Sequence, residues 1–499
     1  MTVSLSPQDA WQPLPANEWN AAAAAHLLRR AGWSAKPDDV DRAVKEGLPK
    51  TLERLFPPEP DRMAMPAMVT RIQEEEPAYV QKIRDAQPVD RRILQREQRE
   101  RAQTVMQNMT IKWLQYSSEY SNAAFQKWIL FLSDVYVVSF EKVVNPPLIY
   151  EHFDIIGKNA FGPAPVLTKA ISRSPAMVLF LDLNQNQAKA PNENFARELF
   201  ELFVLGEGNY SETDIKEAAK AFTGYRTRPL VGDFSILQKQ HDNGPKTVFG
   251  QTGDYSGDDV IDIAYTLPAA GAFLPHEMVK FYLSDTMLPK EYLYALGGPW
   301  KEQGYSLRYL VQTFFGSRLF YADQFRGNFI KSPVQFYLGL VQDLNLDVTP
   351  VPRFVVNPMR QMGQVLFVPP NVRGWVGGRN WINSGSLNAR RALVTTLFTP
   401  LDEDNMNADE QLEIVAARTQ GADRFTVDPD QMLPLVNEPT DKAISHFLRN
   451  YLAMSASDEI RVGLDQLITS TPTETPKQKA RQLTIAAESL LQTPEYQLC

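Results

Sequence analysis

Residues 191–226, PNENFARELFELFVLGEGNYSETDIKEAAKAFTGYR, read as two helices joined by a glycine-bearing turn. Asn192 or Asn194 is placed to cap the first, which runs to Leu205 and is ended by Gly206 and Gly208. Ser211 followed by Asp214 has the form of a capping box and starts the second helix, which ends at Gly224. In the first helix Phe195, Leu199, Leu202 and Phe203 make an apolar side. Asn194, Arg197, Glu198 and Glu201 fall at i, i+3, i+4 and i+7 and make one polar stripe.

Most of the chain on either side repeats this helical grammar. Residues 1–17 read as an extended, proline-containing arm, and Asn17 as the cap of a helix through NEWNAAAAAHLLRRAG that stops at Gly32. His26, alone on that helix, reads as a packed residue. Residues 61–118 read as a long, charged, largely solvated helix with apolar positions Ile93, Val105, Met106, Met109 and Trp113, whose final third docks on the core. The apolar run WILFLSDVYVVSF (128–140) suits a buried helix or strand, and its helix-like flanks favour helix. Residues 225–253 differ, with alternation around Asn243-Gly244, a pair that suits the two positive φ angles of a hairpin turn. Helical patterns return from 257, and the acidic LDEDNMNADE (401–410) is the best boundary candidate. The expectation is a mainly α protein: a multi-helix main domain over 18–400 with a β-hairpin insertion at 225–253, and a helical extension over 401–499.

Composition narrows the function classes. With 43% hydrophobic and 22% charged residues, the 499-residue chain has the make-up of a soluble globular protein. A net charge of -8 gives no global pull toward nucleic acid or anionic lipid. The one cysteine, Cys499, excludes internal disulfides and thiolate metal sites, and the five scattered histidines give no zinc signature. No apolar run is long enough to span a membrane. The N-terminus lacks the form of a signal peptide, which places the chain in the cytoplasm unless a leader precedes it for export.

Several segments together resemble one family, the bacterial "domain of unknown function 1800" proteins. They are HLLRRAGW (26–33), SPAMVLFLDLNQN (174–186), the 191–226 stretch, HDNGPKTVFG (241–250), KSPVQF (331–336), MGQVLFVPPNVRGWVGGRNWINS (362–384) and LLQTPEYQ (490–497). The resemblance implies a mostly helical protein, often exported and often encoded beside a sulfatase-like partner, with no settled reaction. It also exposes a departure. Relatives commonly carry a Trp-His-Asn-His-like element where this chain reads FLSDVY, so Ser133 and Val135 stand at the two histidine positions.

Four constellations are candidates for chemistry. Glu198 and Glu201, one turn apart, suit acid and base roles or a divalent cation such as Ca or Mg, with Asn194 and Arg197 holding an anionic group. His241, Asp242 and Lys246 suit proton transfer beside an anion, set against a purely structural role for Asp242 in its turn. Arg373, Trp375, Arg379 and Trp381, with Asn371, Asn383 and the glycines between, suit a sugar ring or anionic glycan. Asp182, Asn184, Asn186 and Glu193 fall at positions 1, 3, 5 and 12 of a calcium-loop template, with Gln187 where glycine is required. Neither a P-loop nor a GxSxG nucleophile motif is present. The expected function is an enzyme acting on an anionic or carbohydrate-like substrate; the alternative is a non-catalytic partner whose polar residues form a structural network.

Overall fold

The apolar run of residues 128–140 is helical only as far as Val135, in the Tyr120–Val135 helix, where Trp128, Phe131 and Leu132 are fully buried; residues 136–139 leave the helix before the short Phe140–Val143 helix. A computed structural model describes residues 4–228, 232–470 and 472–499; residues 1–3 of the arm and 229–231 of the 225–253 segment lie outside them. The described residues are mainly helical, with two small antiparallel sheets of two strands each. One apolar core runs from Ala10 to Tyr496, with a small satellite around Val351, Met406, Ile414 and Phe425.

Local signals account for most boundaries. Asn20, not Asn17, caps the Ala21–Ala31 helix, its Oδ1 accepting from the Ala22 and Ala23 amides at 3.0 and 3.1 Å. Residues 16–18 are spent on a preceding 3-10 turn, and Gly32 ends the helix as expected. His26 is buried against the Phe320 carbonyl. The arm is not wholly extended, because Ser6 caps a one-turn helix, Pro7–Ala10.

The long charged segment is two helices rather than one, Ala67–Asp85 and Pro88–Ser118. Pro88 lacks the amide that would continue the first helix and disfavours helical backbone at the residue before it, so a new helix starts there. The final third of the second helix docks through Met106, Met109 and Trp113, whereas Val105 is only partly buried and Ile93, earlier on the helix, is exposed.

The 191–226 stretch folds as two helical segments with one unforeseen feature. Asn194–Glu198 is α-helical, but Leu199–Val204 is a wider π-turn. Gly206 and Gly208 then adopt φ of 82° and 80°. Ser211 and Asp214 form the full capping box of the Glu212–Ala221 helix.

The β segment corrects the turn assignment. Strand β1 (Tyr225–Thr227) pairs with β2 (Phe234–Ile236), and β3 (Lys246–Val248) with β4 (Gln251–Gly253). The tight hairpin turn is Phe249-Gly250, with φ of 50° and 76°. Asn243-Gly244 lies before β3 and turns through the Asp242 side chain instead. A left-handed phenylalanine is unfavourable. Here its amide donates to Asp214 Oδ1 at 2.7 Å and its ring packs 5.0 Å from Phe200.

The Pro268–Tyr282 and Lys290–Glu302 helices meet at Gly271 and Gly297, where an added Cβ at Gly297 would strike the Gly271 carbonyl. That backbone contact fixes one wall of the cavity described next.

Candidate functional site

A cavity of about 620 Å³ opens among five elements, one of them the start of the Lys290–Glu302 helix, which gives Lys290, Leu293 and Tyr294. The C-terminal end of the Tyr120–Val135 helix gives Asp134, and the π-turn with its following loop gives Glu201, Leu202 and Glu207. The Pro268–Tyr282 helix gives Phe273, His276, Glu277 and Lys280, and the 372–376 loop gives Arg373 and Trp375. The lining is therefore part apolar and aromatic, part ionisable, which suits a ligand with both kinds of surface.

Asp134 is the carboxyl most altered by its surroundings. Burial in an apolar run pushes it up to about 7, Glu277 adds to the rise, and the Trp375 amide and Lys280 act against it. The Trp375 amide donates to Asp134 Oδ1 at 3.0 Å. Gly374 makes that approach possible: its φ is 73°, and a Cβ there would collide with the carboxylate. Glu277 is bound to Lys280 at 2.9 Å and lies 3.7 Å from His276 Nε2. Burial lowers the His276 imidazole, Glu277 raises it, and Lys280 lowers it again, so His276 is biased toward its neutral form.

The expected site residues divide between this cavity and other places. Glu201, Arg373 and Trp375 line it, and Trp381 lines an adjoining recess. Arg373 bridges Glu201 and Glu207 at 2.5 and 2.6 Å, and Tyr210 donates to Glu201 at 2.6 Å. Glu198 stands next to them without lining the cavity; burial raises its carboxyl and Glu201 adds to that. Arg379 is exposed on the 3-10 turn that follows.

The polar stripe does not survive as one face. The wider turn from Leu199 breaks the i+3, i+4, i+7 register, so Arg197 and Glu201 acquire different partners. Arg197 makes a bidentate pair with Glu212 at 2.7 and 2.8 Å and a further bond to Glu193 at 3.2 Å. Asn194 reaches Asp182 at 3.5 Å, and Asp182 is paired with Lys142 at 2.8 Å.

His241, Asp242 and Lys246 gather at the end of the Glu212–Ala221 helix and do not line the cavity. His241 Nδ1 is 2.8 Å from the Thr223 carbonyl, Asp242 Oδ1 accepts the Gly244 amide at 2.8 Å, and Lys246 donates to the Asp242 carbonyl at 2.7 Å. The calcium-loop side chains are likewise engaged. Asn184 bonds the Thr227 backbone and Asn186 the Ala219 carbonyl and Asn192 amide, while Glu193 faces Arg197. Among the described residues no three His, Cys, Asp or Glu side chains are gathered to hold a metal ion.

Asp134, His276, Glu277 and Lys280 were not singled out from sequence. A signal for Asp134 existed, since one carboxylate inside an apolar run must be buried or placed at a cavity. It also lies between Ser133 and Val135, the positions at which the family resemblance leads one to expect histidines. Ser133 is spent on the Leu130 carbonyl at 2.8 Å, whereas Val135 lines the cavity.

The family model described as "Protein of unknown function (DUF1800)" matches residues 26–498, and the chain belongs to that family. No curated protein and no solved structure matches it. Among the described residues no helix is long and apolar enough to cross a membrane.

Proposed function

We propose that the protein is an enzyme using acid–base chemistry on a carbohydrate-like substrate held in the 620 Å³ cavity. The observation that carries this reading is the placement of Asp134 at the cavity with Glu277 and Trp375 beside it. A carboxyl kept protonated near neutral pH can donate a proton, and an ion-paired carboxylate beside it can accept one. Asp134 takes the first role and Glu277 the second. Trp375 and Phe273 offer faces for a sugar ring. Arg373, whose charge is shared between two glutamates, shapes the rim and holds the Trp375 loop against the π-turn.

The test is hydrolysis of a panel of chromogenic aryl glycosides and aryl glycuronides by the intact protein and its Asp134→Asn variant. The proposal expects turnover that this substitution lowers about a hundredfold or more. A folded Asp134→Asn variant with undiminished turnover would overturn the assignment of Asp134.

A second reading is supported by the engagement of Arg197, Lys246 and Asp242 within the chain. It makes the protein a non-catalytic partner, with a sulfatase-like protein as the counterpart implied by the family resemblance. On this reading Asp134→Asn changes pH-dependent stability and nothing else. The expected divalent cation finds little support in either reading, because Asp182 and Glu193 already face Lys142 and Arg197.

A further inference from the structure

A narrower recess of about 60 Å³ adjoins the cavity and shares Asp134, Glu277, Lys280 and Trp375 with it. We propose that this recess is a carboxylate subsite, so that the substrate in the neighbouring cavity is a sugar acid or similar polyhydroxy acid. The inference rests on the carbohydrate reading for the body of the substrate, but the recess is argued independently.

Lys127 is its main feature. The side chain is only 3% exposed, and its ammonium donates to the Gly32 carbonyl at 2.9 Å. No carboxylate pairs with it among the described residues. The Trp33 and Tyr282 rings lie 5.2 and 5.8 Å away and hold the group without supplying a net negative charge. Arg30 and Lys331, both buried, add positive potential, with Cys499 acting in the opposite sense. Burial and these cations push the Lys127 ammonium down to about 7. A buried cation without a counter-ion is costly, and an entering carboxylate supplies that counter-ion.

Gln364 provides a second, separate indication. It is 3% exposed and lines the recess; its Oε1 accepts the Val334 amide at 3.0 Å. Its Nε2 has no protein partner among the described residues. Ser332, also on the lining, accepts the Gln335 amide at 3.2 Å through its Oγ, leaving its own hydrogen to be directed at a ligand. These donors suit an acceptor-only group such as carboxylate. The recess has room for about four water-sized groups. That accommodates a carboxylate and its attached carbon while a sugar ring stays in the outer cavity.

The experiment is calorimetric titration of the full chain with sodium glucuronate, sodium propionate and glucose, repeated on Lys127→Met and Gln364→Leu. Circular dichroism melts establish which variants fold. Glucuronate should bind at least about tenfold more tightly than glucose, and Lys127→Met should remove about that factor. Gln364→Leu should weaken glucuronate by a smaller factor and carries the test if Lys127→Met does not fold. Equal binding of glucuronate and glucose, no carboxylate binding, or binding unaffected in the folded variants would overturn the subsite. Propionate binding that depends on Lys127, with glucuronate excluded, would uphold the recess and overturn the carbohydrate reading of the outer cavity.

Discussion

Arg197 and Arg373 are each held by two glutamates, yet their surroundings differ. Arg197 joins Glu193 and Glu212 across the two helical segments of the 191–226 stretch, and nothing in that network borders the cavity. Arg373 joins Glu201 to Glu207 at the cavity rim, beside an indole and within reach of Asp134's wall. The same pairing chemistry thus closes one region and frames an opening in the other. What separates them is the π-turn, which turns Glu201 toward the 372–376 loop while Arg197 stays with its own helices. A charged residue is a useful site candidate only when its partners leave something facing a cavity.

The largest expected difference between the regions is in turnover. Asp134→Asn should lower it by about two orders of magnitude or more, whereas His241→Ala should leave it within about twofold. Both are read in the same glycoside assay, and a large loss in His241→Ala would erase the distinction between the regions.

Asp134 should also mark the cavity in pH-dependent stability. Its folded-state value near 7 lies above the ordinary carboxyl value of about 4. The folded protein retains a proton that the unfolded chain releases, so this contribution is complete below about pH 4 and is lost as pH rises through 7. Asp134→Asn should therefore gain stability relative to the parent between pH 5 and pH 8, by about 2 kcal/mol because the cavity leaves the carboxyl partly solvated. Urea denaturation at the two pH values measures it. An unchanged difference would mean that the carboxyl is not held protonated by burial.

Smaller effects belong to the closed region. Thr223→Val should cost about 1–2 kcal/mol in chemical denaturation. It removes the acceptor of the Asp242 amide at 2.7 Å and the donor to the Lys220 carbonyl at 2.6 Å. Arg197→Met should cost less than about 1 kcal/mol, since the pair with Glu212 is substantially exposed. Addition of calcium, magnesium or a chelator should leave the melting temperature of the parent unchanged, and a shift at micromolar metal would reopen the Asp182–Glu193 loop as a binding site.

Particular residues show how far local reading extends. Ser211 and Asp214 lie three apart and satisfy each other's backbone, so their capping box follows from spacing alone. The apolar run of 128–140 had to be buried, but the helical form its flanks suggested holds only to Val135, and residues 136–139 are irregular. Phe249-Gly250 displaced the stronger Asn243-Gly244 turn signal because packing on Phe200 and the Asp214 bond hold a phenylalanine at positive φ. Among residues lining the cavity and its recess, Glu201, Arg373, Trp375 and Trp381 were legible as chemistry-bearing types. Asp134 carried the signal of one carboxylate inside an apolar run, whereas Glu277 and Lys127 carried none, because a single carboxylate or lysine in a helix acquires its meaning from what packs across it.

The sequence by itself determined a mainly helical chain, its principal caps and its family, since these depend on periodicity, neighbouring residues and ordered motifs. Tertiary structure decided that the 191–226 stretch contributes Glu201 to a cavity while keeping Arg197 in a network of its own. It also decided that Asp134 meets Glu277 and Trp375, residues 143 and 241 positions further along the chain. The physical reason is that burial and electrostatic coupling depend on distance in space, and helix packing sets those distances independently of separation along the chain.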